Sequence, residues 1–257
     1  MLDDTCQLVW ITGGGSGIGR ATALALAALG HRVVISGRNA EKLHQVSADA
    51  GQRSEQGPII SLPFDVTDRA AADNAFQELL RREGLPDLVI LSAGNHQPMP
   101  ADQFSADTCR KLMEVNYFGI TNLLELLLPA MHRRGSGTLA LVASVAGYRG
   151  LPTAAAYGGS KAAMINLAES LACELSGSDI DLRLVNPGFV RTPLTDRNDF
   201  EMPCLIEPEE AAQAIIKGLK GTGFEIAFPT RFVMLVKLMR LLPYRLYFSL
   251  IKRKTGL

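Results

Sequence analysis

Tyr157 and Lys161 stand four residues apart at the start of a segment with helical character. Residues at that spacing share one face of a helix, so the phenol and the ammonium group can lie side by side. A free phenol has a pKa of about 10 and is a poor base at neutral pH, whereas a cation held beside it lowers that pKa. The pair could therefore transfer protons, although tyrosine and lysine at this spacing also occur on solvated helix faces.

Two further side chains could act with this pair. Ser144 directly follows an apolar, strand-like run, and a hydroxyl at the end of a strand can donate to a substrate carbonyl and polarise it. Asn116 lies among apolar residues of a predicted helix. A helical asparagine more often points to solvent, but a buried one must find partners, and a chain of water molecules is one way.

Glycines concentrate in residues 12–19, between the first apolar run and a helix. Gly13 would permit a tight turn, Gly17 would let the backbone approach a pyrophosphate, and Gly19 would let helix and strand pack closely. The strict G-x-G-x-x-G pattern is not met, because Ile18 stands at its third glycine position. Such a turn alone could be structural or serve adenosylmethionine or a flavin, and its place after the first strand favours a dinucleotide.

The segment after the second predicted strand bears on the choice between NADH and NADPH. NAD sites use an acid about 20 residues beyond the turn to bind the ribose 2′-hydroxyl. Here Ser36 is followed by Gly37, Arg38 and Asn39, with no acid before Glu41. Arg38 can pair with a 2′-phosphate in a fork geometry, which predicts NADP(H) rather than NAD(H). Arg38 could alternatively be a solvated loop cation.

In their order and spacing, these motifs make the sequence similar to the short-chain dehydrogenase/reductase family, in its single-domain branch of about this length. The similarity runs from residue 8 to about residue 220. It rests on residues 12–19, Asp65-Val66, Ala93-Gly94, Asn116, Ser144, Tyr157, Lys161, Pro187-Gly188 and Thr192.

The resemblance implies a catalytic tetrad. Tyr157 would be the acid/base, and Lys161 would tune it and hold the nicotinamide ribose. Ser144 would bind the substrate oxygen, and Asn116 would support a proton relay.

The resemblance also implies cofactor contacts. The pair at residues 65–66 would contact adenine, the pair at 93–94 would line the cofactor cleft, and residues 187–192 would flank the nicotinamide. The whole predicted cofactor set is Gly13, Gly15, Ser16, Gly17, Ile18, Gly19, Arg38, Asp65, Val66, Ala93, Gly94, Tyr157, Lys161, Pro187, Gly188, Val190 and Thr192.

The chain departs from the family pattern at two places. The family often has Asn before the Ala-Gly pair, where this chain has Leu91 and Ser92. Gly158 and Gly159 directly follow the tyrosine, and each helical glycine costs about 1 kcal/mol relative to alanine. Close approach of another helix would explain them, and a subunit interface is one place where it could occur, in keeping with a homodimer or homotetramer.

Short apolar runs alternate with segments of helical period along the chain. The predicted strands are residues 8–11, 32–35, 59–62, 88–91, 138–142, 181–185 and 225–227. The predicted helices are residues 21–29, 41–50, 69–82, 108–133 and 156–175, with a last one from near Pro208. This alternation predicts right-handed crossovers and a doubly wound parallel sheet, a Rossmann-like α/β fold. Ligands bind at the carboxyl ends of such strands, where the motifs lie.

Composition excludes several classes of protein. With 47% hydrophobic and 20% charged residues the chain is globular, and its zero net charge argues against nucleic acid as main partner. The four cysteines lack zinc-ligand spacing, so we expect no metal site and read them as buried or idle thiols. They are Cys6, Cys109, Cys173 and Cys204. Asp3 and Asp4 replace the positive start of a secretory signal, and no apolar run could span a bilayer, which predicts a cytoplasmic chain.

We predict an oxidoreductase domain at residues 1–230, in which the resemblance implies a mobile lid at about 188–208, and an amphipathic tail at 231–257 packed on it. The apolar content of the lid favours a lipophilic ketone or alcohol as substrate, although packed lid residues would look the same. The tail has seven Lys/Arg and no acid, in two short helices separated by Pro243. It could cover the substrate cleft or a partner subunit, which the resemblance favours, or contact an anionic membrane peripherally.

Taken together, the residues predict an NAD(P)(H)-dependent enzyme that interconverts a ketone and a secondary alcohol. The alternative is a catalytically silent, cofactor-binding regulator or scaffold, which the complete tetrad disfavours. A methyltransferase is disfavoured because it would not require Ser144, Tyr157 and Lys161 together.

Overall fold

Seven short apolar runs form one parallel sheet in the structure, a computed structural model that describes residues 7–51 and 57–255. Asp3, Asp4 and Cys6 lie outside the described residues. The strands are β1 Leu8–Thr12, β2 Arg32–Ser36, β3 Ile59–Ser61, β4 Leu88–Leu91, β5 Gly137–Val142, β6 Ile180–Pro187 and β7 Glu225–Phe228. Their order is β3-β2-β1-β4-β5-β6-β7, with every neighbouring pair parallel. The predicted doubly wound α/β fold is confirmed, and its strand order reverses between β1 and β4, where such sheets bind ligands.

Helices connect these strands and cover both faces of the sheet. They are α1 Gly17–Ala28, α2 Ala40–Gly51, α3 Arg69–Arg82, α4 Ala106–Met113, α5 Gly119–Arg134, α6 Ala155–Glu174, α7 Pro208–Lys220, α8 Thr230–Arg240 and α9 Tyr244–Thr255. Because strand side chains alternate between the faces, Trp10, Val89 and Leu139 join the apolar layer that includes α3 and α5. Val9 and Ile90 join the opposite layer with α1, α2 and α7.

The prediction of one long helix over residues 108–133 is wrong in one respect. It is two helices, α4 and α5, joined by a π-helical turn at Glu114–Phe118. Directly after that turn, Gly119 packs so closely on Val66 that an added Cβ would lie 2.6 Å from the valine side chain. Turns of this kind interrupt a helix where a side chain must be re-aimed, and here the buried residue in the turn is Asn116.

The C-terminal segment forms α8 and α9, which are fastened to the loop after β5. Phe232 and Val236 of α8 and Tyr247 of α9 are buried against the domain. The Arg149 guanidinium donates to the carbonyl of Met239 and lies 3.9 Å from the centroid of the Tyr247 ring. Among the described residues, none of the helices is sufficiently long and apolar to cross a bilayer.

A buried guanidinium fixes the turn that leads into β7. Arg183 on β6 is 3% exposed and donates from Nε to both carboxylate oxygens of Asp181, at 2.7 and 2.8 Å. Its two terminal nitrogens donate to the carbonyls of Gly223 and Gly221, at 2.6 and 2.8 Å. One side chain therefore satisfies the Asp181 carboxylate on β6 and two backbone carbonyls of the turn before β7.

We expect Arg183→Met to lower the free energy of unfolding by about 2 kcal/mol, because the partly buried Asp181 carboxylate and two carbonyls lose their donor together. Urea unfolding followed by circular dichroism measures the loss. The control is Arg82→Met, which removes a half-exposed pair with Glu78 and should cost less than about 1 kcal/mol. Equal losses in the two variants would contradict this assignment.

Candidate active site

Tyr157 and Lys161 lie in the first two turns of α6, as their spacing predicted. The Lys161 side chain is buried, and its Nζ donates to the Val142 carbonyl at the end of β5 at 2.9 Å. That nitrogen lies 5.9 Å from the centroid of the Tyr157 ring. The phenol and the ammonium group are thus neighbours at the carboxyl edge of the sheet.

Burial sets the proton affinity of both groups. It raises the pKa of Tyr157, against a smaller lowering by the hydrogen bond with Ser144, and it lowers the pKa of Lys161 to about 8. The prediction that a neighbouring cation favours the phenolate concerns one contribution to this pKa, and burial has the larger effect, so the net direction for Tyr157 is upward. The ammonium group of Lys161 is engaged with the Val142 carbonyl. At neutral pH Tyr157 is a neutral phenol that can donate a proton.

Ser144 directly follows the last residues of β5, and its hydroxyl is held in place by backbone. The hydroxyl accepts from the Ala146 N–H at 3.2 Å and donates to the Pro187 carbonyl at 3.4 Å. These contacts fix it between the ends of β5 and β6. The hydroxyl and the phenol of Tyr157 can therefore address the same substrate oxygen.

Asn116 is fully buried in the π-helical turn, and its partners are protein groups. Its Oδ1 accepts from the Asn95 N–H at 2.7 Å, and its Nδ2 donates to the Asn95 carbonyl and to Ser160 Oγ, both at 2.9 Å. Ser160 Oγ in turn donates to the Tyr157 carbonyl at 2.7 Å. The Asn116 amide therefore joins the loop after β4 to the first turn of α6.

The glycine turn after β1 is a cradle that side chains would fill. Gly13 has a φ of +71°, and an added Cβ would lie 2.9 Å from the Ser92 carbonyl oxygen. A Cβ on Gly19 would lie 2.4 Å from the Gly13 carbonyl oxygen. Thr12 Oγ1 accepts from the N–H groups of Ser92 and Ala93, each at 3.1 Å. The chain has Ser92 where the family often has Asn, and the Ser92 backbone is nevertheless bonded to Thr12, the last residue of β1.

The start of α1 fits the pyrophosphate of a dinucleotide. Ser16 precedes the helix and makes no side-chain hydrogen bond to it, so the first N–H groups keep their capacity to bind an anion. Gly17 lies beneath Thr192, whose Cγ2 would be 2.9 Å from an added Cβ. Gly15 and Ile18 belong to the same turn. An NAD(P) cofactor would place its phosphates here and be covered by the segment after β6.

The residues predicted for the adenosine end lie after β2 and β3. Arg38 is exposed, and its Nε lies 4.0 Å from Asp65 Oδ2. Asp65 Oδ1 also accepts from the N–H and hydroxyl of Thr67, and the Val66 carbonyl accepts from Asn122 Nδ2 at 3.0 Å. These bonds hold the pair Asp65-Val66 in a fixed turn beside Arg38.

Among the residues predicted to lie near the nicotinamide, Gly94 is next to the predicted tetrad. An added Cβ on Gly94 would be 3.3 Å from Asn116 Oδ1 and 3.6 Å from Lys161 Nζ. Gly188 packs closely on the tail, since an added Cβ at this position would lie 2.9 Å from the Phe232 ring. Val190 is buried and forms a parallel bridge with Ile206.

The segment predicted as a lid is fastened to the loop after β4. Arg197 donates to Asn95 Oδ1 at 3.0 Å and to the His96 carbonyl. The Thr195 hydroxyl donates to the Val190 carbonyl at 2.7 Å. The middle of residues 188–208 is therefore in contact with the loop after β4 in this structure.

Sequence reasoning missed His96. Its ring meets the Tyr157 ring edge-on, with the centroids 4.6 Å apart, and its Nε2 pairs with Asn198 Oδ1 at 3.0 Å. Burial lowers the pKa of His96, so the ring is neutral; the Asn198 bond opposes this and the Arg197 charge adds to it. Its Nδ1 is buried without a partner among the described residues. The one available signal was its position, two residues beyond the Ala-Gly pair.

The described residues contain no group of three or more His, Cys, Asp or Glu side chains placed to hold a metal ion. Cys109, Cys173 and Cys204 are unpaired thiols. The last two are exposed, so the buried alternative does not hold for them.

Comparison with known proteins agrees with this geometry. The model of the short chain dehydrogenase family matches residues 7–202. An uncharacterized oxidoreductase of Myxococcus xanthus is 33% identical over 254 residues, which are 98% of this chain and 99% of that protein. The chain belongs to the short-chain dehydrogenase/reductase family. It is an NAD(P)-dependent oxidoreductase.

Solved structures share its fold. A short-chain dehydrogenase from Streptomyces avermitilis superposes with a TM-score of 0.80 at 29% identity, covering 91% of this chain and 92% of that one. A short-chain dehydrogenase/reductase from Burkholderia phymatum in complex with NAD has a TM-score of 0.83 at 22% identity, covering 93% and 94%. The second likeness shows the fold alone.

The low pKa of Lys161 predicts a pH dependence of stability for the enzyme without cofactor. An unfolded lysine has a pKa of about 10.4, whereas burial lowers that of folded Lys161 to about 8. Between these values the unfolded chain binds a proton that the folded chain has lost, so the free energy of unfolding rises with pH. We expect wild type to gain stability relative to Lys161→Met from pH 8 to pH 10.

Chemical unfolding at several pH values measures this difference. Lys217→Met, which removes an exposed lysine of α7, is the control for the loss of a positive charge. A difference between wild type and Lys161→Met that stays constant across the range would show that Lys161 is not buried as described.

Proposed function

We propose that the enzyme reduces lipophilic ketones to secondary alcohols, and catalyses the reverse oxidation, with NADP(H) preferred and Tyr157 as the acid/base. The observation that carries this proposal is the convergence of three groups at one sheet edge. The Tyr157 phenol, the Ser144 hydroxyl and the Lys161 ammonium group meet beside the glycine cradle after β1. A cofactor-binding scaffold without turnover would not need this arrangement.

In the direction of reduction, the residues act on the carbonyl oxygen. The nicotinamide, when bound, supplies the hydride. Ser144 Oγ donates a hydrogen bond to the substrate oxygen and polarises the carbonyl. Tyr157, whose pKa burial raises, is a neutral phenol and transfers its proton to the same oxygen.

Lys161 stabilises the phenolate that this proton transfer leaves, because its buried ammonium group lies 5.9 Å from the centroid of the Tyr157 ring. A proton from solvent then restores the phenol. Asn116 holds the backbone of Tyr157 through Ser160, so that the phenol keeps its place during the reaction. Its role in this proposal is positioning.

The preference for NADP(H) follows from the groups after β2. Arg38 is exposed there, and its Nε stands at the long distance of 4.0 Å from Asp65, which leaves its terminal nitrogens able to bind a phosphate. The segment from Ser36 to Asn39 contains no carboxylate side chain that would repel this phosphate.

A lipophilic substrate fits the aromatic residues of the segment 188–208. Phe189 packs edge-on against Phe200, with the centroids 5.8 Å apart, and lies 5.4 Å from Phe232 of the tail. On the other side the rings of His96 and Tyr157 are in contact. A ketone between these surfaces would meet apolar groups except at the catalytic hydroxyls and at His96 Nδ1.

We further propose that the enzyme is a cytoplasmic homodimer or homotetramer. Gly158 does not support this, because its place is explained within the chain: an added Cβ would lie 3.0 Å from the Ala146 carbonyl oxygen. Gly159 does, since it is exposed and an added Cβ would meet nothing within 4 Å. That open stretch of α6 lets a second helix approach closely.

We expect Tyr157→Phe to lower turnover by about 10²- to 10⁴-fold, because the proton donor is lost while the ring remains. NADPH oxidation over ketones of increasing chain length measures turnover, and NADPH fluorescence measures binding, which should change little. Tyr117→Phe, on the turn after α4, is the matched control. Turnover that survives in Tyr157→Phe would refute the central assignment, and activity confined to small polar ketones would refute the lipophilic substrate.

We expect Arg38→Asp to raise the Kd for NADPH about ten- to hundredfold, since a charge-assisted contact is lost and a repulsive carboxylate is added. The Kd for NADH should stay the same or fall. The control is Arg133→Asp, an exposed arginine at the end of α5. If both cofactors weaken equally, Arg38 does not recognise the 2′-phosphate.

A further inference from the structure

Helix α8 is apolar on two opposite faces. One face packs on the domain through Phe232, Val233 and Val236. The other faces solvent, although the outward side of such a helix is ordinarily polar. Its exposed residues are Met234 (66%), Leu235 (53%) and Leu238 (63%), followed by Leu241 (79%) just beyond the helix.

Helix α9 continues this exposed apolar surface. Tyr247 is its buried anchor, with a hydroxyl that donates to the Gly150 carbonyl. Tyr244, Leu246 and Phe248 are each more than half exposed. We call the seven exposed residues of α8, α9 and their connection the tail surface.

The charged side chains of the segment that forms the tail surface have one sign. Residues 231–257 carry seven Lys/Arg and no acid, so residues 1–230 carry a net charge of −7. Within residues 231–255, the cations whose side chains the structure describes as exposed are Arg231, Lys237, Arg240, Arg245, Lys252 and Arg253. Apolar side chains among cations are the composition of helices that lie in the interface of an anionic bilayer.

The tail surface is held facing outward. Arg149 donates to the backbone carbonyls of Met239 and Arg240, at the end of α8. Lys237 pairs with Glu225, which also accepts hydrogen bonds from Tyr148 and Asn186. These bonds, with the buried face of α8, leave the opposite apolar face to contact something outside the domain.

We propose that the tail surface binds the surface of an anionic lipid bilayer, and that the enzyme is thereby a peripheral membrane protein. A second copy of the chain fits this surface poorly. A symmetric contact would press the same cations against each other without an acid to pair them, which costs free energy. Anionic headgroups instead attract each basic residue by about 1 kcal/mol, while the exposed apolar side chains enter the interface.

The proposal goes beyond the oxidoreductase activity and does not depend on it. The two are nevertheless close in space, since Phe232 on the buried face of α8 contacts Phe189 of the segment predicted as a lid. Binding is therefore tested without turnover as the readout.

Flotation of the purified full-length enzyme tests the proposal. The vesicles are phosphatidylcholine alone or an equimolar mixture with phosphatidylglycerol. Wild type should float with the mixed vesicles, much less with phosphatidylcholine alone, and less as salt is added. The double variant Leu238→Glu with Leu241→Glu should lose binding about tenfold or more. Leu29→Glu, at an exposed leucine after α1, is the matched control and should float like wild type.

Circular dichroism checks that the double variant folds, and a second variant, Arg231→Glu with Arg245→Glu, tests the charge without touching an apolar residue. It should lose binding to the mixed vesicles selectively. The proposal is overturned if wild type does not float with them or if the Leu238/Leu241 variant floats equally well. It is also overturned if wild type does not bind vesicles and light scattering shows that the Leu238/Leu241 variant loses an oligomer that wild type forms.

Discussion

The buried amide of Asn116 connects the two parts of the site that the chain brings from far apart. Its side chain takes both backbone groups of Asn95 and the hydroxyl of Ser160, so it joins the loop after β4 to the first turn of α6. A buried amide left without these partners would cost more than the bonds themselves contribute, which makes the arrangement all or nothing. The π-helical turn exists at the place where this side chain must point inward.

Burial is the largest influence on the pKa of both groups at this edge of the sheet. It raises the pKa of Tyr157 and lowers that of Lys161. The two shifts are opposite because burial disfavours the charged form of each group. His96, neutral and edge-on to the phenol, adds an apolar wall that also offers one polar nitrogen.

The tail shows the opposite use of apolar residues. The inner face of α8 contributes to the core, while its outer face is as apolar as the inner one and is surrounded by cations. Since Arg149 and Glu225 hold the helix from the domain side, the exposed face is part of the folded structure. The same segment therefore packs on the domain near Gly188 and leaves an apolar surface exposed.

The sequence by itself determined the seven strands, most of the helices and the candidate catalytic residues, because period, glycine placement and motif spacing are local properties of the chain. It did not determine the break between α4 and α5, since a π-helical turn has no periodic signature and depends on the partners of Asn116. It also missed His96 and the effect of burial on the pKa of Tyr157, and it could not say that the close neighbour of Gly158 is Ala146 of the same chain. These were decided only by the tertiary structure, because contacts between distant segments and the exclusion of water from a site arise when the elements pack together.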